Sequence, residues 1–260
     1  FIKGDVRNKS LLKSLVNKND LIIPLAGLVG APLCDKNRKY ATEINLNNIK
    51  YILKILRPKQ KIIYPTTNSG YGVGEKNKFC DENSPLRPVS HYGITKSLAE
   101  REVLKFKNSI CFRLATVFGY SYRMRTDLLV NNFVYEAINK NKIALYESHF
   151  RRNFIHIDDV VDAFVFSIKR FKQLKGSTYN LGLSNANINK LMLAQKIKKI
   201  VKSLKITIRE NMKDPDKRDY YVSNKKIESK GFKATKSLEH GINELVKIFK
   251  YSDNKFKNNY

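Results

Sequence analysis

Ser90-His91-Tyr92-Gly93-Ile94-Thr95-Lys96-Ser97-Leu98-Ala99-Glu100 reads as the opening turns of a helix carrying a tyrosine and a lysine four residues apart. Side chains at that spacing share one helix face. An ammonium beside a phenol favours the phenolate, so a tyrosine that ordinarily ionises near pH ~10 becomes usable as an acid/base at neutral pH. Such a pair also arises by chance in helices, and the neighbouring segments decide its meaning. Upstream, Lys61-Ile62-Ile63-Tyr64-Pro65-Thr66-Thr67-Asn68-Ser69-Gly70-Tyr71-Gly72 is an apolar strand that runs into hydroxyl residues and a glycine turn. Open α/β sheets place their chemistry at the carboxyl ends of strands, which is where Thr67 falls.

With Thr67 at a strand end and Tyr92 and Lys96 on the next helix, the sequence resembles the extended short-chain dehydrogenase/reductase family, specifically its nucleotide-sugar epimerases and dehydratases. The resemblance implies a Rossmann-like, doubly wound parallel α/β sheet with a smaller substrate domain. Residues 1–120 would form a partial dinucleotide-binding domain, 121–250 mainly the substrate domain, with segments around 151–182 passing between them. Ser252 to Tyr260 is expected to be a disordered tail.

The remaining motifs follow in order. Phe1-Ile2-Lys3-Gly4-Asp5-Val6-Arg7-Asn8 reads as a strand end and turn. By resemblance Asp5 and Val6 sit beside the adenine of the dinucleotide; alternatively Asp5 caps a helix from Lys9 to Asn17. Asp20-Leu21-Ile22-Ile23-Pro24-Leu25-Ala26-Gly27 is a buried strand whose small terminal residues admit a cofactor closely, or simply pack tightly. The family lays Leu25, Ala26 and Gly27 against the dinucleotide. An amphipathic helix from Asn37 to Leu56 carries Asn45-Leu46-Asn47-Asn48, which resembles the family's Asn-Val-x-Gly-Thr, and the resemblance implies that Asn45 supports the active-site backbone.

Ile110 to Gly119 reads as the next strand, with Thr116 where the family usually has the Asn that meets the substrate. Asp127 to Lys140 reads as a helix with Asn131 and Asn132 near its start, and the resemblance implies that both meet the substrate. Arg151-Arg152-Asn153-Phe154-Ile155-His156-Ile157-Asp158-Asp159-Val160 resembles the family segment whose arginine grips the nucleotide diphosphate, so Arg152 inherits that role. Its alternative is a solvent-facing charge at a strand start. His156, flanked by Ile155 and Ile157 and far from other ligand types, reads as packed structure rather than a metal or catalytic group. Asn187 to Ser203 and Gly231 to Phe249 read as helices. Arg218, in Lys213-Asp214-Pro215-Asp216-Lys217-Arg218-Asp219, is a second candidate phosphate arginine or part of a solvated charged loop.

The family opens with a Gly-x-x-Gly-x-x-Gly turn whose helix N-terminus receives the pyrophosphate. These 260 residues contain no such turn. By resemblance the chain starts near the third family strand, and as written it is expected to bind dinucleotide poorly. Either the strand at Asp20 to Leu25 forms an exposed edge or Phe1 to Gly4 lacks a strand partner.

A hydrophobic content of 42% is enough for a full core. No apolar run approaches the ~20 residues of a membrane span, and the opening residues give no signal-peptide core. Cys34, Cys80 and Cys111 are too few and too scattered for a disulfide framework or a zinc site, so no metal is expected and a cytoplasmic location is. The formal charge of +27 comes from lysines spread over most polar faces without an arginine-aromatic stripe, which argues against nucleic acid.

The resemblance implies that Tyr92 takes the sugar hydroxyl proton, Lys96 holds the ribose and lowers the tyrosine pKa, and Thr67 shares the bond to the sugar oxygen. NAD, or NADP, is the implied cofactor and a nucleotide-diphosphate sugar the implied substrate. A homodimer through the Tyr92 helix and its predecessor is implied as well. Family dehydratases carry Thr-Asp-Glu where this chain has Thr67-Asn68-Ser69, so epimerisation through a keto-sugar is expected ahead of dehydration or reduction. A non-catalytic, basic RNA-binding or scaffold relative is the competing expectation.

Overall fold

A computed structural model of the chain describes residues 1–75, 78–209 and 218–251. The first half contains α1 (Lys9–Asn17), β1 (Leu21–Ile22), α2 (Ala31–Lys36), α3 (Arg38–Thr42), α4 (Asn48–Ile55), β2 (Lys61–Thr67), β3 (Phe79–Cys80), α5 (His91–Leu104), β4 (Ser109–Leu114) and β5 (Thr116–Phe118). The second contains α6 (Leu129–Lys140), β6 (Lys142–Leu145), β7 (Arg151–His156), α7 (Ile157–Lys169), α8 (Phe171–Leu174), β8 (Ser177–Leu181), β9 (Asn187–Asn189), α9 (Lys190–Ile200), β10 (Lys205–Ile208), β11 (Tyr221–Val222), α10 (Lys225–Glu228) and α11 (Leu238–Tyr251).

The main sheet runs β1-β2-β4-β8 and every pairing in it is parallel. Strands in such a sheet are covered on both faces, and alternate side chains enter opposite cores. On β2 and β4, Ile62, Tyr64 and Cys111 pack with Val16, Ile49, Ile52 and Val103 from α1, α4 and α5. Ile63, Ile110 and Phe112 join the larger core with Ala163, Leu193, Ile197 and Leu245 from α7, α9 and α11. Each fully buried aliphatic or aromatic side chain of this kind contributes ~1.5–3 kcal/mol of transfer free energy.

The expected strand from Ile110 to Gly119 is two strands. β4 ends at Leu114, and beyond Ala115 the chain turns into β5, which pairs parallel with β7 in a second sheet of order β5-β7-β9. That break splits the strand ends and opens a cleft between the two sheets. The expected helix from Asn37 to Leu56 spans α3 and α4, joined by a π-helical turn over Glu43–Asn47. The helix expected from Asp127 begins at Leu129, and that expected from Asn187 begins at Lys190, where the Asn189 side chain caps Met192 N at 2.8 Å. The last helix starts at Leu238 rather than Gly231. Asn8, not Asp5, caps α1, accepting from Leu11 N at 3.1 Å.

β1 stands at the sheet edge with β2 as its partner, and Phe1–Gly4 forms no strand, leaving Phe1 and Ile2 exposed. Both outcomes expected of that edge are therefore present. Residues 252–260, read as a tail, and Lys213 to Lys217 lie outside the described residues. Among the described residues no helix is long and apolar enough to cross a membrane, and no cluster of metal-ligand side chains occurs.

Candidate functional site

Thr67 ends β2 and caps the short turn that follows, accepting from Ser69 N at 3.1 Å and donating to Ser69 Oγ at 2.9 Å. Across from it Ser90 caps α5 by accepting from Gly93 N at 3.2 Å, which fixes the helix start and therefore the position of Tyr92. Glycine at position 93 lets α5 close on the strand end. A Cβ there would lie 2.9 Å from Pro88 Cβ and 3.1 Å from Ser69 O. The result puts Tyr92 and Thr67 on the wall of one cavity.

The electrostatics of the pair differ from the sequence expectation. Burial pushes the Tyr92 phenol above its ordinary value, and the opposing pull comes from the Arg218 guanidinium, the Thr67 hydroxyl and Arg125. Lys96 Nζ sits 4.1 Å from the centroid of the Tyr64 ring. Burial lowers Lys96 to about 7, so in the ligand-free cleft this amine carries only part of a charge at neutral pH. Lys96 is thus not the group that draws the Tyr92 phenol down here.

Asn45 lies in the π-helical turn, a local irregularity that is frequent at functional sites. Its side chain accepts from Leu28 N at 2.9 Å and donates to Leu28 O at 2.8 Å, which pins the segment after β1. Leu25, Ala26 and Gly27 are exposed there, and a Cβ on Gly27 would stand 3.1 Å from Asn45 Oδ1. Leu25 lines a cavity of about 320 Å³ whose other walls include Thr66, Thr67, Ser69, Tyr92, Lys96, Thr116, Arg125 and Arg218. Thr66 Oγ1 is buried with no hydrogen-bond partner among the described residues.

A second cavity, also about 320 Å³, shares Thr116, Arg125 and Arg218 with the first and adds Asn132, Arg152, Lys190, Asp35 and Asp127. Arg152 and Lys190 are almost fully buried, at 3% and 4% exposure. Arg152 donates to Arg151 O at 2.8 Å and stacks over Tyr220; Lys190 donates to Tyr146 O; Arg125 donates to Asp127 Oδ1 at 3.1 Å. Four cations against two carboxylates, Asp127 being paired with Arg125, leave this cavity with a positive excess, which favours anions over cations.

Two expected substrate contacts come out differently. Asn132 lines the outer cavity, whereas Asn131 spends both ends of its amide on backbone: it accepts from Gly119 N at 3.1 Å and donates to Arg125 O at 3.1 Å. Asn131 therefore fixes the loop that carries Arg125 and lines neither cavity. Asp5 is bound to its neighbour Arg7 on the surface, which holds its carboxyl near 2, and neither Asp5 nor Val6 lines the cleft. His156 is fully buried, caps α7 by accepting from Asp158 N and bonds Glu244 at 3.0 Å, a structural role. Ser69, Arg125 and Lys190 were not singled out by sequence. Arg125 and Lys190 looked like two of the chain's many surface cations, and Ser69 mattered only as an absent carboxylate.

A model of the NAD dependent epimerase/dehydratase family matches residues 1–182. The dTDP-D-glucose 4,6-dehydratase of Dictyostelium discoideum is 26% identical over 217 residues, covering 76% of this chain and 49% of the relative. The putative UDP-glucose 4-epimerase of Methanocaldococcus jannaschii is 25% identical over 263 residues, covering 96% of this chain and 84% of the relative. Among solved structures, UDP-glucuronic acid 4-epimerase from Bacillus cereus superposes with a TM-score of 0.83 at 22% identity, covering 96% of this chain and 81% of that one. At that identity the superposition establishes the shared Rossmann-type fold.

Proposed function

The chain belongs to the NAD dependent epimerase/dehydratase family, and from that premise we propose that it is a nucleotide-sugar epimerase working through a transient keto-sugar, with Tyr92 as acid and base. The observation that carries the epimerase reading is the wall of the inner cavity. Around Tyr92 and Thr67 it holds hydroxyls, two arginines and apolar groups, and among the described residues no carboxylate. Eliminating water from a keto-sugar needs an acid and a base at neighbouring carbons. Inversion needs one proton carrier and room for the ketone to turn.

The inner cavity suits the ribose and nicotinamide end of a dinucleotide on its own chemistry. Thr66 Oγ1 is a buried polar atom waiting for a partner, and Lys96 is a half-buried amine whose charge a polar ligand would restore. Lys96 and Thr66 would hold the ribose end, Leu25, Ala26 and Gly27 would lie along the ligand with Asn45 fixing their backbone, and Asp5 and Val6 would lie toward its adenine. When bound, the nicotinamide supplies a hydride acceptor and donor.

The protein's own residues then do the following. Arg152, Arg218, Arg125 and Lys190 hold the substrate diphosphate in the outer cavity, with Asn132 and Thr116 beside it. Thr67 bonds the reacting sugar oxygen. The Tyr92 phenolate takes the proton of that hydroxyl, so the sugar O–H breaks as the phenol O–H forms, and the phenol returns it to the ketone oxygen at the end.

Exposed Ile94 and Leu98 on α5 are in keeping with a homodimer through this helix, and three buried, unpaired cysteines with a cytoplasmic location. A dehydratase reading draws on relatives such as the Dictyostelium discoideum protein. Product analysis with UDP-glucose, UDP-glucuronic acid and dTDP-glucose separates the two: a stereoisomer of equal mass supports the epimerase, and loss of water supports the dehydratase. Tyr92→Phe is expected to cut kcat by ~10²–10⁴ while UDP binding is kept. Unchanged turnover in that variant would overturn the assignment of Tyr92.

A further inference from the structure

Arg218 lines both cavities, and the residue after it, Asp219, lines neither. Asp219 meets β7 instead: its carboxylate accepts from Arg151 N at 2.9 Å, from Arg151 Nε at 3.0 Å and from Arg151 Nη2 at 3.2 Å. Arg151 precedes Arg152, the buried arginine of the outer cavity. One ion pair thus joins the chain neighbours of two arginines that face the same cleft. We propose that Asp219 is a positioning residue that, by gripping Arg151, fixes Arg218 beside Arg152. The proposal rests on the reading of these two arginines as holders of the substrate diphosphate, and adds the device that sets their arrangement.

The two ends of this contact are not equally firm. β7 lies between β5 and β9, and Arg151 and Arg152 pair with Asn189 and Ile188 of β9. Arg152 is therefore set by the sheet. Arg218 belongs to no strand, since β11 begins at Tyr221. At Asp219 the chain is held from two sides. Asp219 N donates to Gly72 O at 3.3 Å and Gly74 N donates to Asp219 O at 2.8 Å, while the carboxylate reaches Arg151. The Arg151 guanidinium is itself seated 4.3 Å from the centroid of the Tyr221 ring, and that of Arg152 lies 5.9 Å from the Tyr220 ring. Arg151, Asp219 and Tyr221 thus form one layer, and Arg152, Arg218 and Tyr220 form the layer that lines the cleft, as alternation along extended chain requires.

Although burial raises it, the hydrogen bonds from Arg151 hold the Asp219 carboxyl below its ordinary value, so the pair is ionic at neutral pH. Other roles for this carboxylate predict different outcomes. As a stabilising ion pair alone, with side chains 27% and 18% exposed, it contributes little, and its loss would touch melting and leave binding alone. As a bare charge one residue from the anion site it repels a diphosphate, so its removal would tighten binding. As the holder of Arg218, its removal weakens binding.

The test is calorimetry of UDP binding to the full chain. Asp219→Ala should weaken UDP binding on the order of tenfold, the worth of one charge-assisted hydrogen bond, even though it removes a negative charge. Uridine should bind variant and parent alike. Asp219→Asn, whose amide oxygen still accepts from Arg151, should fall between the two. In turnover, Asp219→Ala should raise KM more than it lowers kcat. In an Arg218→Met background, Asp219→Ala should weaken UDP binding no further. UDP binding unchanged or tightened by Asp219→Ala in a folded variant, or an equal further loss in the Arg218→Met background, would overturn the proposal. Should Arg218→Met itself bind UDP as the parent does, the diphosphate reading falls and the proposal falls with it.

Discussion

Lys96 Nζ lies 4.1 Å from the centroid of the buried Tyr64 ring. An ammonium gains something from an aromatic face, but less than it loses when water is stripped away. The balance lowers Lys96 to about 7 from its ordinary 10.5.

A group with a depressed folded pKa of this kind costs stability while it is charged in the unfolded chain. The cost is fully present below about pH 7 and fades as pH rises toward 10.5. Lys96→Met should therefore be more stable than the parent protein at pH 6–7 by ~1–2 kcal/mol and melt at a higher temperature, with the gap closing by about pH 10. The same variant should lose turnover. Thermal melts of both proteins across that pH range check the sign.

Arg113 on β4 and Glu100 on α5 form a buried ion pair with contacts of 2.7 and 3.0 Å, and Arg113 also donates to Tyr71 OH at 2.9 Å. The pair clamps the Tyr92 helix to the main sheet. Glu100→Ala strands a buried guanidinium and should cost ~3–5 kcal/mol in urea unfolding. The double replacement Glu100→Leu with Arg113→Met should recover much of that loss, because two apolar groups need no desolvation.

Arg152 is buried at the outer cavity, where its charge is screened little by salt. Arg152→Met should weaken UDP binding about 10- to 100-fold by calorimetry, the worth of one or two charge-assisted hydrogen bonds. Uridine, which has no phosphate, should bind the variant and the parent alike.

Thr66 Oγ1 is buried without a partner among the described residues. Removing such a group is close to neutral or favourable, so Thr66→Val should leave the ligand-free melting temperature unchanged or slightly raised. If the hydroxyl serves the dinucleotide, the same change should weaken NAD binding ~5- to 10-fold. A variant that loses stability but keeps NAD affinity would remove Thr66 from the cofactor site.

What sequence made legible here was local. Tyr92 and Lys96 share a helix face by spacing, Thr67 follows an apolar run, and these three came together at one cavity. The parallel sheet was implied by the family resemblance that these residues carry. Contacts across long stretches of chain were not: Arg218 reaches Ser69 over 149 positions, and nothing around either residue announces the other. Arg125 and Lys190 were hidden by composition, because in a chain with 50 basic residues a functional cation resembles its neighbours until burial singles it out. Asn131 was assigned to the substrate by its place near the start of the helix expected from Asp127. Its amide is needed to hold Gly119 and Arg125, a demand set by the turn between β5 and α6.

The central claim is that a sugar carbon loses and regains its own hydrogen while Tyr92 moves the hydroxyl proton. The most direct measurement follows sugar nucleotides deuterated at the reacting carbon, UDP-[4-²H]glucose and dTDP-[4-²H]glucose, incubated in ordinary water with NAD and read by NMR. The account predicts the inverted sugar with deuterium kept at that carbon and no exchange of the C5 hydrogen. Loss of water, solvent hydrogen at C5, or deuterium washed out of C4 during inversion would contradict it.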